Sequence, residues 1–281
     1  MIDEDLRWSG ETVKPYAKTR ELIDHAVEVV KRYDAAITVR QLFYQLVSAN
    51  VIENSEDNYK AVGRAVTTAR KLGLMPFKDI EDRGREIEAT PIFTSAGDAV
   101  SWAKSIFDQD RWGNQDERIA VICEKSALSG VISPICQRWQ VPYVASKGYA
   151  SLSLAAEVAS RLWGYTILYF GDHDPSGVHM PKKWQETLDG FQANCHLIEV
   201  ALRPDQIDRY DLVPQPVKKT DSRSSKYRAQ HGSGCYELDA LPPDILSSMV
   251  TVWIQEYIDF DRWNERDAEI EAEREKIVAS I

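Results

Sequence analysis

Asp172 and Asp174 stand two residues apart in Gly171-Asp-His-Asp-Pro-Ser-Gly177, and a third acid, Glu124, lies well upstream. Each follows a short apolar run. Tyr165-Thr-Ile-Leu-Tyr-Phe170 precedes the aspartates, and Arg118-Ile-Ala-Val-Ile-Cys123 precedes the glutamate. Such β-rich, nearly continuous runs are what strands buried on both faces require. In an open α/β sheet, ligands gather at the carboxyl ends of the strands. Three carboxylates at two such ends offer hard oxygen ligands. They suit magnesium, which needs few carboxylates and completes its shell with water or substrate phosphate. Such an ion polarises phosphoryl oxygens. The plainer role for Asp174 is to cap the helix that Pro175 opens. The aspartyl-phosphate pattern DxDx[T/V] fails at Ser176.

A second group could supply a nucleophile. Arg40 and Tyr44 are four residues apart in Val39-Arg-Gln-Leu-Phe-Tyr-Gln-Leu-Val47, hence on one helix face. A guanidinium there favours the phenolate that would attack phosphorus. The alternative is that Tyr44 is one more core aromatic beside Phe43 and Leu46. A third group is basic. Lys60, Arg64, Thr67, Thr68 and Lys71 share the polar face of one predicted helix, the layout of a helix that meets phosphates. Lys218, Lys219, Arg223, Lys226 and Arg228 form a basic segment, read either as a solvated loop or as a phosphate contact. His173, His179 and His231 have no partner at metal-ligand spacing, and His173 points away from the acids that flank it.

The elements that must position these residues are legible in outline. Helices are expected over 15–33, from Thr38 to near Asn50, and over about 56–72. Thr38 with Gln41 makes a capping box, Ser55 or Asn54 caps the third helix, and Gly73 stops it. Three short helices with tight connections predict a helix-turn-helix module, with residues 76–83 as a wing. A linker helix and polar loop are expected over 91–116. Strands at 118–123, 141–145, 165–170 and 195–201 then alternate with helices at 126–138, 150–162 and 176–189, which predicts a mostly parallel sheet. The first and third strands are expected as neighbours, so that their acids converge. Residues 214–236 read as a polar loop, Leu241–Phe260 as a packed helix and 261–279 as a charged, solvated helix. The domain division is 1–90, a linker 91–117, 118–260, and a tail 261–281.

The chain has 281 residues and a net charge of −10. From Glu256 to Lys276 there are nine acids and four bases, so about half of the excess lies in the tail. The acidic total argues mildly against a nucleic-acid partner, and this distribution softens the argument. Cys123, Cys136, Cys195 and Cys235 lack zinc or disulfide spacing and read as thiols of a reducing cytoplasm. No membrane-spanning run or secretory signal is evident.

Taken together and in order, these motifs resemble the topoisomerase VI A-subunit family. Arg40-Gln-Leu-Phe-Tyr44 is similar to its catalytic tyrosine motif, and Glu124-Lys125 to the acidic opening of its Toprim domain. Ser146-Lys-Gly-Tyr149 is similar to its Gly-Lys-Gly-Tyr segment, with the first glycine lost. Gly171-Asp-His-Asp-Pro-Ser-Gly177 is similar to its Gly-Asp-x-Asp-Pro-x-Gly turn. The likeness covers roughly residues 30–200, and the region after Leu202 looks like reduced, mobile-element relatives. The resemblance implies an α/β chain, a winged-helix domain followed by a Rossmann-like Toprim domain. It implies Tyr44 and Arg40 as catalytic and Glu124, Asp172 and Asp174 as magnesium ligands. Double-stranded DNA would meet Lys60, Arg64, Lys71, Lys125, Lys147, Lys218, Lys219 and Arg223. It further implies a homodimer, a cytoplasmic, nucleoid-associated setting and a separate GHKL-type ATPase partner, since this chain carries no nucleotide motif. Two other classes stay open: a Toprim nuclease that activates water, and a non-catalytic DNA-binding module.

Overall fold

In the computed structural model, the described residues are 14–33, 36–81, 92–146, 151–216 and 223–279. The amino-terminal unit holds α1 (Ala17–Val30), β1 (Ile37–Thr38), α2 (Val39–Ser48), α3 (Glu56–Lys71) and β2 (Ile80–Glu81). The capping box of α2 forms as its residues predict. Thr38 Oγ1 accepts from the Gln41 amide at 3.1 Å, and Gln41 Oε1 accepts from the Thr38 amide at 2.8 Å. Ser55 Oγ caps α3 by accepting from the Asn58 amide. The apolar stripes of the three helices pack together: Ile23, Ala26 and Val30 of α1, Leu42 and Leu46 of α2, Val62, Ala65 and Val66 of α3. Where a wing is expected, β2 pairs in parallel with β1, Ile80 opposite Ile37. Residues 82 and 83 of that expected wing lie outside the described residues.

After α4 (Ala96–Ile106) come β3 (Ile119–Cys123), α5 (Ser129–Arg138), β4 (Tyr143–Ala145), α6 (Leu152–Arg161), β5 (Thr166–Phe170), α7 (Met180–Gly190) and β6 (His196–Ala201). Their four strands form one all-parallel sheet in the order β4-β3-β5-β6. Both faces are covered, which explains the continuous apolar runs. Val121, Cys123, Leu168 and Phe170 face the core shared with the amino-terminal helices and α10. Ala120, Ile122, Ile167 and Tyr169 face α6 and α7. β3 and β5 are neighbours, as the spacing of the acids predicts.

The remainder corrects the sequence expectation in three places. Residues 214–236 contain β7 (Gln215–Pro216), α9 (Ser224–His231) and β8 (Gly234–Cys235), the strands paired antiparallel. A short helix α8 (Pro204–Arg209) precedes them. The expected helix 241–260 is α10 (Pro243–Gln255), and a break separates it from α11 (Phe260–Ala279). That tail helix is docked as well as solvated. Trp263 and Ile270 are buried among its charges, and the Trp263 ring meets Trp112 at 5.8 Å and Trp139 at 5.5 Å. All four cysteines are buried thiols. No helix among the described residues is long and apolar enough to cross a membrane.

Candidate active site

The carboxyl ends of β3 and β5 deliver Glu124, Lys125 and Asp172 to one edge of the sheet. Two glycines make this approach possible. A Cβ on Gly171 would lie 2.6 Å from the Tyr169 ring and 3.0 Å from Glu124 Oε2. One on Gly177 would lie 2.0 Å from the Asp172 carbonyl oxygen. With no side chain there, the turn folds back on itself. Glu124 Oε2 accepts from the Asp172 amide at 3.2 Å, so the first and second acids converge. Asp174 Oδ1 accepts from the amides of Ser176 and Gly177, at 2.8 and 2.6 Å, the capping role that is its plainer alternative. His173 is buried, with Nδ1 on the Leu202 carbonyl oxygen.

A second layer of charge lies against these acids. Lys125 Nζ reaches Asp172 Oδ1 at 3.1 Å, Glu237 Oε2 at 2.6 Å and Asp239 Oδ1 at 2.7 Å. Asp172 Oδ1 also accepts from the Leu238 amide at 2.7 Å. From α2, Arg40 Nη2 pairs with Glu237 Oε2. Arg40 Nε stands 2.6 Å from Asp239 Oδ2, an ion pair whose angle is poor for a hydrogen bond. The Gln215 side-chain amide donates to the Tyr44 hydroxyl and, at 3.0 Å, to Glu237 Oε1. Arg40 and Tyr44 therefore meet the tips of β3 and β5 within one chain, through residues far away in sequence. A cleft of about 240 Å³ opens beside them, between α2, the start of α3, Gln215 and Glu237.

Burial and neighbouring charge set the ionisation. Burial pushes Asp172 up to about 7; Lys125 opposes this, and the charges of Glu124 and Asp239 add to it. Glu124 is raised by burial and by Asp174, against the Asp172 amide. Burial would also raise Glu237, but Lys125 and Arg40 override it and hold it down at about 2. Burial would lower Lys125 and Arg40, yet the surrounding carboxylates raise both above their ordinary values. Tyr44 is only 4% exposed. Its phenol is raised by burial and then by Glu237 and Asp239, with Arg40 and Lys125 pulling the other way.

Among the described residues, no three of His, Cys, Asp and Glu are gathered as a set of metal ligands. The donor chemistry nevertheless fits magnesium, for which one or two carboxylates suffice beside water and phosphate oxygens. Glu124 is raised by burial and Asp174, and Asp172 by burial and Glu124, so an added cation would relieve both. Glu124 Oε1 and Asp174 Oδ2 accept no hydrogen bond among the described residues.

The basic residues are divided. Lys60, Arg64 and Lys71 lie on the exposed face of α3, with Lys60 Nζ 2.8 Å from Glu56. Lys125 is turned inward, its side chain 15% exposed among the acids. Arg223 is half-buried at the start of α9. Lys147, Lys218 and Lys219 lie outside the described residues. Glu237, Asp239 and Gln215 are site residues that the sequence did not single out. The one available signal was Glu237-Leu-Asp239, which repeats the acid-x-acid spacing of Asp172-His-Asp174.

Fold and site together define a class: a parallel α/β sheet bearing a cluster of acids and bases at its carboxyl edge, with a helical unit docked against it. Compared with known proteins, the chain matches no family model and no curated protein.

Proposed function

We propose that the chain cleaves and rejoins DNA strands by tyrosine transesterification, in the manner of a topoisomerase VI A subunit built from winged-helix and Toprim domains. The observation that carries this reading is the docking of Arg40 and Tyr44 against Glu237, Asp239 and Gln215, two of which reach the sheet edge through Lys125. Tyr44 oxygen attacks the scissile phosphorus. A phosphotyrosine bond to the 5′ end forms, and the 3′ oxygen leaves with a proton. Rejoining reverses these steps, since the bond energy is kept. Arg40 steadies the phenolate and the phosphoryl oxygens, as a guanidinium does for developing negative charge. Glu124, Asp172 and Asp174 are the residues that would hold magnesium, whose chemistry when bound is to offset charge on the phosphate. Lys60, Arg64 and Lys71 would meet the duplex backbone. In this reading the working unit is a homodimer, nucleoid-associated, with a separate GHKL-type ATPase as partner.

The experiment is denaturing trapping with end-labelled duplex and magnesium. A protein-linked band that Tyr44→Phe abolishes supports the reading, and a band that survives the substitution removes Tyr44 from the mechanism. The burial of Tyr44 favours a second reading, in which the same acids hold a metal that activates water and Tyr44 is core. Magnesium-dependent nicking with no adduct from either chain would establish it.

A further inference from the structure

Arg40 and Lys125 form the cationic pair of this site, and the chain's own carboxylates already neutralise both. Glu237 Oε2 is shared between Arg40 and Lys125. Asp239 spans the same two cations, one oxygen on each. Two acids bridging a guanidinium and an ammonium reproduce the contacts a phosphodiester makes with such a pair. The acids ride on a narrow strap: the two-residue strands β7 and β8, followed by the short 3-10 turn Leu238–Ala240. It is pinned by the Leu238 amide on Asp172, by the paired backbone hydrogen bonds of Tyr236 with His173, by the burial of Leu238 and Asp239, and by Gln215 between Glu237 and Tyr44. Under it, Tyr44 is 4% exposed, too covered to meet a duplex phosphate. The strap still has an open side. The Arg40 side chain is 41% exposed, at the cleft of about 240 Å³.

We propose that Glu237 and Asp239 are internal stand-ins for a nucleic-acid phosphate, so that the strap closes the site and a phosphodiester opens it by displacing them from Arg40 and Lys125. This deepens the function proposed above and rests on it. Exchange of one anion for another keeps both cations paired, so the buried ammonium of Lys125 is never left alone. The segment 236–240 has to move, which breaks the Tyr236–His173 backbone bridge and uncovers Leu238.

The test is duplex binding by full-length protein, read by fluorescence anisotropy without magnesium, so that cleavage plays no part. Glu237→Gln removes one competing charge and keeps the volume. Its affinity for a short duplex should rise about tenfold, the equivalent of one charge-assisted hydrogen bond released. The gain should vanish when Arg40→Ala is combined with it, while Glu53→Gln, a surface acid outside the strap, should change affinity less than about twofold. Unchanged or weaker binding by Glu237→Gln overturns the proposal, as does failure of both chains to bind. A second measurement needs no variant. Duplex added to the wild-type chain should speed amide hydrogen exchange over 235–241, where the Leu238 amide loses Asp172; slowed or unaltered exchange overturns the proposal. Failure of the covalent chemistry is separable, because Arg40-dependent tightening with no Tyr44 adduct refutes transesterification and leaves the exchange intact.

Discussion

Replacing Asp172 by Asn should make the protein more stable at neutral pH while removing the proposed magnesium-dependent chemistry. Asp172 is buried, and its folded-state value is pushed up to about 7, from an ordinary aspartate value near 4. A raised value means that the folded chain holds the proton more tightly than the unfolded one. Stability from this group is therefore full below about pH 4 and lost progressively as pH climbs to about 7. At about 1.4 kcal/mol per pH unit, keeping the carboxylate ionised above pH 7 costs roughly 4 kcal/mol. The amide of Asn can still accept from Leu238 but does not attract Lys125, so part of that gain is forfeited; a net of about 2 kcal/mol, or roughly 4 °C in Tm, is expected at pH 8. The assay is urea unfolding of both chains in EDTA from pH 4 to pH 8. The advantage of Asp172→Asn should widen with pH up to about 7 and then level. An advantage that is flat with pH, or that grows on acidification, refutes the reasoning. Magnesium should narrow the gap by stabilising only the wild-type chain.

Gly177→Ala should destabilise the chain by about 1–3 kcal/mol in urea and weaken the proposed magnesium-dependent activity, because its Cβ would overlap the Asp172 carbonyl oxygen. Trp263→Ala should cost about 3–5 kcal/mol, measured the same way, by emptying the space between α11, Trp112 and Trp139; no loss would mean that the tail does not dock. The triple substitution of Lys60, Arg64 and Lys71 by Ala should flatten the salt dependence of duplex binding by about one log–log unit for each phosphate no longer neutralised. An unchanged slope would place DNA on another surface.

What was legible in the sequence was local. The alternation of apolar runs with amphipathic stretches specifies the parallel sheet, because strands covered on both faces leave no polar position. Thr38 and Gln41 announce the start of α2, since both partners of that cap lie within one turn. The pairing of β3 with β5 was expected from the two crossovers that separate Glu124 from Asp172, and the structure bears it out. What was missed depends on distance. Glu237 lies 197 residues from Arg40, and no local pattern says that it will turn toward α2. The loop 214–236 reads as polar because β7 and β8 are two residues each, too short for period-two alternation. The tail reads as solvated because Trp263 and Ile270, one heptad apart, are outnumbered by charges.

The most direct test of the account is the identity of the residue joined to DNA. After reaction with duplex and magnesium, the protein is denatured and digested with trypsin and nuclease, and the peptide Gln41–Lys60 is fragmented in a mass spectrometer. It contains two tyrosines, Tyr44 and Tyr59. The account predicts a nucleotide 5′-phosphoryl group on Tyr44 alone. The same mark on Tyr59, or strand cleavage with the whole peptide unmodified, would contradict it.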